Sequence, residues 1–165
     1  MKRKRRFVVK ASRNIRRGAK RGNRIMASKI IVDGLGTFTE ISDAINAIER
    51  SGMIEDYENG DIDSIQYTVV SDRYGSETID AEIEGDEIVY QYWCVTKRDY
   101  NDDWLLYDET EYATFDDAEI AARKLADRIG YDNVGVTHAY GTLSQSYGTD
   151  ADYEFDEDGD LVEVY

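Results

Sequence analysis

The chain has 165 residues, a formal net charge of −15 and 33% charged residues. One Cys and one His cannot supply the four ligands of structural zinc, and a single Cys excludes an internal disulfide. No apolar run approaches the ~18 residues of a membrane span, and no signal-peptide stretch follows the N-terminus, so we expect a reducing, intracellular setting without membrane contact.

The N-terminal segment is strongly basic and the remainder is strongly acidic. Residues 1–29 hold 13 Lys or Arg and no acid, whereas residues 30–165 hold 35 acids and seven bases. We predict a strand at 6–11 followed by an Arg-rich loop or arm. In a helical conformation, the basic residues of this segment would share one face. This face would contact RNA or DNA, pair with the acidic face of a second copy, or neutralise the body of its own chain. Its residues are Arg13, Arg16, Arg17, Lys20, Arg21 and Arg24.

The first amphipathic helix is predicted in TFTEISDAINAIERSG, residues 37–52. Thr37 and Glu40 have the spacing of a capping box, and Gly52 is a suitable stop. The apolar residues follow the helical i, i+3, i+4, i+7 pattern and predict the buried face. They are Ile41, Ala44, Ile45 and Ile48.

A strand and an acidic hairpin follow this helix. The stretch DSIQYTVV alternates like a strand, and DAEIEGDEIVYQY reads as a hairpin with Gly and Asp in its turn. In the hairpin, Ile79, Ala81 and Ile83 alternate with acids. Side chains alternate across a strand, so the acids would share one face and contact a partner. These acids are Asp80, Glu82 and Glu84.

The second half repeats this order at an offset of 77 residues. Cys94 lies in a predicted strand, where a small buried hydrophobe is the better interpretation than a nucleophile. A polar turn with Asp102 and Asp103 follows, and these two acids join the predicted partner surface. A helix is then predicted in TFDDAEIAARKLADRIG, with Thr114 and Asp117 at its start and Gly130 at its stop. Its apolar face is Ala118, Ala121, Ala122 and Leu125.

The C-terminal hairpin is the most acidic stretch. The single histidine, His138, precedes it in the strand DNVGVTHAY and is expected to be structural rather than catalytic. EFDEDGDLVEVY resembles a calcium-binding EF-hand loop, but Tyr165 occupies the position of the bidentate Glu, which favours a hairpin turn. Its acids complete the predicted partner surface. They are Asp150, Asp152, Glu154, Asp156 and Asp158.

Together these patterns predict an α+β fold in one compact body. We divide the chain into the basic segment at 1–29, a first repeat at 30–91 and a second repeat at 92–165. Each repeat would pack one amphipathic helix on an antiparallel sheet in a ββαβββ-like order. We expect no metal and no cofactor, because no ligand set or phosphate-binding loop is complete.

The acidic faces indicate a binding protein rather than an enzyme. Alternate carboxylates on a strand lie about 6.6 Å apart, close to the axial advance of every second phosphate in one DNA strand. Small size, acidity and lack of catalytic groups resemble, in composition, the phage and mobile-element inhibitors that mimic DNA, including anti-restriction and anti-CRISPR proteins. That resemblance implies a host nuclease as partner and the host bacterial cytoplasm as location. The alternative is a nucleic-acid-binding or virion-associated protein that acts through its basic segment. Tyrosines beside the acids, if exposed, would suit a protein interface or would stack on bases.

Overall fold

Three helices and eleven strands make up the described part of the chain. The computed structural model describes residues 29–71, 75–146 and 150–164. Its first half contains β1 (Lys29–Val32), β2 (Gly36–Phe38), α1 (Ile41–Arg50), α2 (Met53–Glu58), β3 (Gln66–Ser71), β4 (Gly75–Asp80) and β5 (Glu82–Glu84). Its second half contains β6 (Glu87–Arg98), β7 (Trp104–Leu106), α3 (Phe115–Ile129), a 3-10 turn (Tyr131–Asn133), β8 (Val134–Thr142), β9 (Gln145–Ser146), β10 (Tyr153–Phe155) and β11 (Leu161–Glu163).

All strand pairs are antiparallel, and the strands form two linked sheets. The first sheet has the order β2-β1-β3-β4, and the second has the order β11-β10-β8-β6-β5, with β7 beside β6 and β9 beside β8. Ala81 is the single residue between β4 and β5, and its amide donates to the Ile65 carbonyl at 2.8 Å. One chain segment therefore leaves the first sheet as β4 and enters the second as β5.

The long strand β6 is covered by a helix on each face. Tyr90, Tyr92 and Cys94 pack in one core with α1, whereas Trp93 and Val95 pack in a second core with α3. Because neighbouring side chains of a strand point to opposite faces, the two helices lie on opposite sides of the β6–β8 pair. The acidic strand segment β4–β5 belongs to the side that α1 supports, since its inward residues pack into the first core.

The predicted α+β class is confirmed, and so are the main helix patterns. All four predicted apolar residues of α1 are buried, and three of the four predicted for α3 are, with Ala121 half-buried. Thr114 accepts a hydrogen bond from the Asp117 amide at 3.3 Å, and α3 ends just before Gly130 as predicted. The two-repeat ββαβββ order stays a prediction.

Two details of the sequence interpretation were wrong. Thr37 lies in β2, and α1 begins at Ile41 after Glu40, which makes no side-chain capping bond. The predicted capping box is therefore absent, because residues 36–38 pair with β1 instead. The short helix α2 was not predicted.

The strand expected at 6–11 and the Arg-rich loop lie outside the described residues. None of the described helices is long and apolar enough to cross a bilayer.

Candidate interaction surface

The acids of β4 and β5 form an exposed row. Asp80, Glu82 and Glu84 are exposed, whereas Ile79, Ala81 and Ile83 between them are half-buried against the first core. The alternation follows from the extended backbone, which presents every second side chain on the same face. Successive carboxylates of the row are therefore about 6.6 Å apart along the strand. The apolar residues beneath fix the backbone that carries them.

The surroundings of this row are polar or acidic. Asp80 accepts a hydrogen bond from the Gln66 side chain at 2.6 Å, and the hydroxyls of Thr68 and Thr78 lie 2.9 Å apart on the same face. Glu84 is the cross-strand partner of Glu87, whose carboxylate accepts from the Ser144 hydroxyl at 2.8 and 2.9 Å. Within the described ranges, no basic side chain pairs with the row.

The acids of the last hairpin are used differently. Asp152 accepts from the His138 amide at 2.7 Å and from the Thr137 hydroxyl at 3.2 Å, which ties β10 to β8. Glu154 lies 3.5 Å from the Arg98 guanidinium. Asp156 accepts from two backbone amides of its own turn, at 2.9 Å each. These three carboxylates therefore bind groups of their own chain. Asp150 and Asp158 are exposed to solvent.

The turn of that hairpin also holds three carboxylates close together. Oxygens of Asp156, Asp158 and Asp160 lie within 4.8 Å of one another, and β10 and β11 pair on either side of them. The hairpin interpretation of this stretch is confirmed over the EF-hand interpretation, because strands rather than helices flank the turn. Asp156 organises the turn by accepting the amides of Asp158 and Asp160. The absence of a metal remains an expectation.

Asp102 and Asp103 lie in the β6–β7 turn, away from the β4–β5 row in the sheet order. Both are exposed, and the Asp99 carboxylate accepts the Asp103 amide at 3.0 Å. Next to this turn the Arg98 guanidinium lies 4.2 Å from the ring centroid of Trp104. Arg98 thus lies near both the Trp104 ring and the Glu154 carboxylate.

Three aromatic side chains lie in series across β6 and β8. The rings of Trp93 and His138 are almost parallel, with centroids 3.9 Å apart and planes 8° apart. Tyr140 continues the series 4.9 Å from His138 and is 46% exposed. The stack explains His138 as a packed strand residue, as the sequence indicated. The exposure of Tyr140 was not predicted, although the alternation of VTHAY could have suggested it.

A partly buried polar cluster lies at the first core, where Tyr90 and Cys94 are buried and Glu111 is half-buried. The Tyr90 hydroxyl donates to Glu111 at 2.7 Å. Burial raises the pKa of the Glu111 carboxyl, and the hydrogen bond from Tyr90 partly offsets that shift. Burial, with smaller contributions from nearby Glu111 and Asp108, raises the pKa of the Cys94 thiol to about 12. Cys94 is therefore a neutral buried thiol at physiological pH, which disfavours a nucleophilic role.

A buried ion pair in α3 was not expected from the sequence. Glu119 and Arg123 of α3 are 1% and 5% exposed at their side chains and form an ion pair at 2.8 Å. Arg123 also donates to the Gly159 carbonyl at 2.6 Å and lies near the Phe155 ring. Periodicity alone places both residues on a polar face, so only the β10–β11 hairpin explains their burial.

The predicted basic contact residues cannot be placed on this surface. Arg13, Arg16, Arg17, Lys20, Arg21 and Arg24 all lie outside the described residues. Comparison with known proteins found no matching family model, no matching curated protein and no matching solved structure.

Proposed function

We propose that this chain is a non-catalytic acidic binding protein that mimics nucleic acid and blocks the DNA-binding cleft of a host nuclease. The proposal places it among phage or mobile-element inhibitors of the anti-restriction or anti-CRISPR type, acting in the bacterial cytoplasm. The observation that carries it is the row of Asp80, Glu82 and Glu84, exposed on a strand whose other face is packed.

The physical basis is a match of charge and spacing. A groove built for phosphates presents Lys and Arg at intervals set by the nucleic-acid backbone, and fixed carboxylates about 6.6 Å apart would meet alternate positions. Because the row is part of a sheet, little conformational freedom is lost on binding. Counterions would be released on contact, so binding should weaken as salt rises.

The contacts of the acids divide the predicted surface residues into two groups. The β4–β5 row accepts few hydrogen bonds within the chain, whereas Asp152, Glu154 and Asp156 stabilise the second sheet and its turn. We therefore assign primary contact to Asp80, Glu82 and Glu84. Asp102, Asp103, Asp150 and Asp158 are exposed and remain proposed as additional contacts.

The proposal is tested by competition with DNA. Purified restriction and RNA-guided nucleases are mixed with labelled target DNA and increasing amounts of the full chain, at salt from about 50 to about 200 mM. The expected result is displacement of DNA from at least one nuclease, with an apparent affinity for the chain that falls as salt rises. Failure to displace DNA from any of them, or displacement independent of salt, would contradict mimicry.

A matched pair of triple variants locates the contact. Asp80→Asn, Glu82→Gln and Glu84→Gln remove three exposed charges from the sheet, and Glu55→Gln, Asp56→Asn and Glu58→Gln remove three from α2. We expect only the sheet variant to lose competition and to show a shallower salt dependence. Equal losses in the two variants would mean that overall charge, and not the row, determines binding.

We also propose that the body consists of two pseudo-repeats that share β6. In the first sheet the order is β2-β1-β3-β4, and in the second the corresponding order is β7-β6-β8-β10. In each, a hairpin precedes the helix, and the strand after the helix pairs with the first strand of that hairpin. This likeness, with the 77-residue offset between the apolar positions of α1 and α3, supports a duplication.

A further inference from the structure

Strand β4 lies at the end of the first sheet and leaves one of its edges open. The order of that sheet is β2-β1-β3-β4, so that among the described strands β4 pairs with β3 alone. It has six residues, whereas β2, β5 and β11 at the other sheet ends have three each. Its pairing with β3 is regular from Gly75 to Asp80, without a bulge. Among these sheet ends, β4 therefore offers the longest edge.

The register determines which backbone groups this edge presents. The Ala81 amide donates to the Ile65 carbonyl at 2.8 Å, and this opposed pair continues the register of β3 and β4. Opposed pairs of an antiparallel ladder alternate between hydrogen-bonded and non-hydrogen-bonded ones. The N–H and C=O groups of Ser76, Thr78 and Asp80 therefore point away from β3. All three residues are exposed, so these groups lie on an accessible edge.

The side chains of β4 restrict which strand can pair with this edge. Proline, a bulge or a short length would discourage every kind of added strand, whereas β4 carries acidic side chains instead. Glu77 and Asp80 are exposed on it, and Glu82 and Glu84 follow directly. A second copy paired through β4 would bring acids against acids, which is unfavourable across strands. A basic strand would meet opposite charge.

We propose that the free edge of β4 binds an extended basic segment of the partner as a fifth strand of the first sheet. The inference rests on the proposed function and specifies the partner as a nucleic-acid-binding protein with Lys or Arg at alternate positions of an extended segment. The main chain of that segment pairs with Ser76, Thr78 and Asp80, as in other cases of strand addition. Its basic side chains on the face of the acidic row lie close to Asp80.

Main-chain pairing gives this contact affinity that charge alone does not supply. Exposed ion pairs contribute little each and are screened by salt, whereas one added strand forms several main-chain hydrogen bonds in series. The edge is also preformed. The hydroxyls of Thr68 and Thr78 lie 2.9 Å apart, and the Gln66 side chain donates to Asp80 at 2.6 Å, which holds β4 against β3. Little order has to be created in β4 on binding.

The test uses two peptides as probes of the full chain. The first alternates lysine and threonine over about eight residues, a length within the range of natural strands. The second is a copy N-methylated at every backbone amide, which keeps the charges but donates no main-chain hydrogen bond. Their dissociation constants are measured by calorimetry at one ionic strength. We expect the N-methylated copy to bind at least about tenfold more weakly, as the loss of two or more hydrogen bonds predicts. Equal binding of the two peptides overturns the proposal.

Thr78→Pro tests the edge within the chain. It removes an N–H that points away from β3, a position where edge strands accept proline, and it changes no charge. Thr78→Val is the matched control, because it keeps the amide and loses only the hydroxyl. We expect Thr78→Pro to abolish the preference for the unmethylated peptide and Thr78→Val to retain it. A preference that survives Thr78→Pro, with the fold intact by thermal unfolding, overturns the proposal.

The acidic triple variant separates this inference from the proposed function. Asp80→Asn, Glu82→Gln and Glu84→Gln should weaken both peptides equally and leave their ratio unchanged. If the two peptides bind the unmodified chain equally while the triple variant weakens both and loses DNA competition, the edge pairing is refuted and the acidic contact stands. A preference for the unmethylated peptide without any nuclease competition would support the edge and refute the nuclease as partner. Dimerisation of the unmodified chain that Thr78→Pro abolishes, measured by analytical ultracentrifugation, would assign the edge to a second copy and overturn the proposal.

Discussion

Gly135 of β8 lies so close to Ala151, just before β10, that no side chain fits between them. A Cβ atom at Gly135 would lie 2.6 Å from the Cβ of Ala151 and 2.8 Å from the Tyr153 carbonyl oxygen. Backbone atoms on one side and a buried methyl on the other leave little freedom to adjust. This close approach lets β10 of the C-terminal hairpin lie directly beside β8 in the second sheet.

Gly135→Ala should therefore lower the free energy of unfolding by about 1–3 kcal/mol, as overpacking does. The usual gain from replacing glycine in the unfolded chain is smaller than this cost. Urea denaturation followed by circular dichroism measures the change. Ser76→Ala on the exposed strand β4 is the control and should stay within about 0.5 kcal/mol. An unchanged midpoint for Gly135→Ala would show that β10 can move away.

Glu111→Gln should remove a loss of folding stability that grows as the pH rises. The pKa of Glu111 is raised by burial, so the folded state binds this proton more tightly than the unfolded state does. Its contribution to stability is thus greatest below the unfolded pKa, about 4.5, and is lost as pH rises through the higher folded pKa. The glutamine retains an acceptor for Tyr90 but does not titrate.

The measurement for Glu111→Gln is the melting temperature at pH 4 and at pH 7. The variant should gain stability relative to the unmodified chain on going from pH 4 to pH 7. Glu109→Gln alters an exposed neighbour and should show no such change. A relative gain at pH 4 instead would reverse the sign and refute the argument.

Arg123→Met should destabilise the chain strongly. The change removes the guanidinium that donates to buried Glu119 and to the Gly159 carbonyl. Breaking a buried pair from one side costs about 3–5 kcal/mol, whereas replacing both partners with apolar residues costs less. The double variant Arg123→Met, Glu119→Leu should therefore lose less stability than Arg123→Met alone. Additive losses in chemical denaturation would argue against coupling between the two side chains.

Deletion of residues 1–26 tests the alternative function. This removes 12 Lys or Arg and leaves a strongly acidic chain, which nucleic acid should repel. If the basic segment reads nucleic acid, fluorescence anisotropy should show binding of labelled RNA and DNA by the full chain and its loss on deletion. Unchanged binding would dismiss the segment as the reader. DNA competition at the nuclease cleft should survive the deletion if the acidic row carries it.

Local patterns in the sequence predicted the features that depend on neighbouring residues. The 3.6-residue period placed the buried face of α1, and the Thr114–Asp117 spacing placed the start of α3. Strict alternation from residue 79 to 84 placed the acids on one side of the strand. Each of these features depends on backbone geometry over a few neighbouring residues. The local sequence pattern is therefore enough to predict it.

Features that depend on distant residues could not be predicted in this way. Arg98 and Glu154 are 56 positions apart, and Glu154 became an internal partner only because β6, β8 and β10 are adjacent. The burial of Glu119 and Arg123 depends on the C-terminal hairpin that covers them. Six-residue α2 has too few turns for a periodic signal. The composition therefore gives the number of acids, whereas the topology determines which of them face outward.

Strand β6 connects the two halves of the body. Its 12 residues pair with β5 and β7 along one edge and with β8 along the other, and each of its faces belongs to a different core. A cut between residues 91 and 92, where the two repeats were divided, falls in the middle of this strand. Neither half could then complete its own core, so the chain should unfold in a single cooperative transition and resist separation into independently folding fragments.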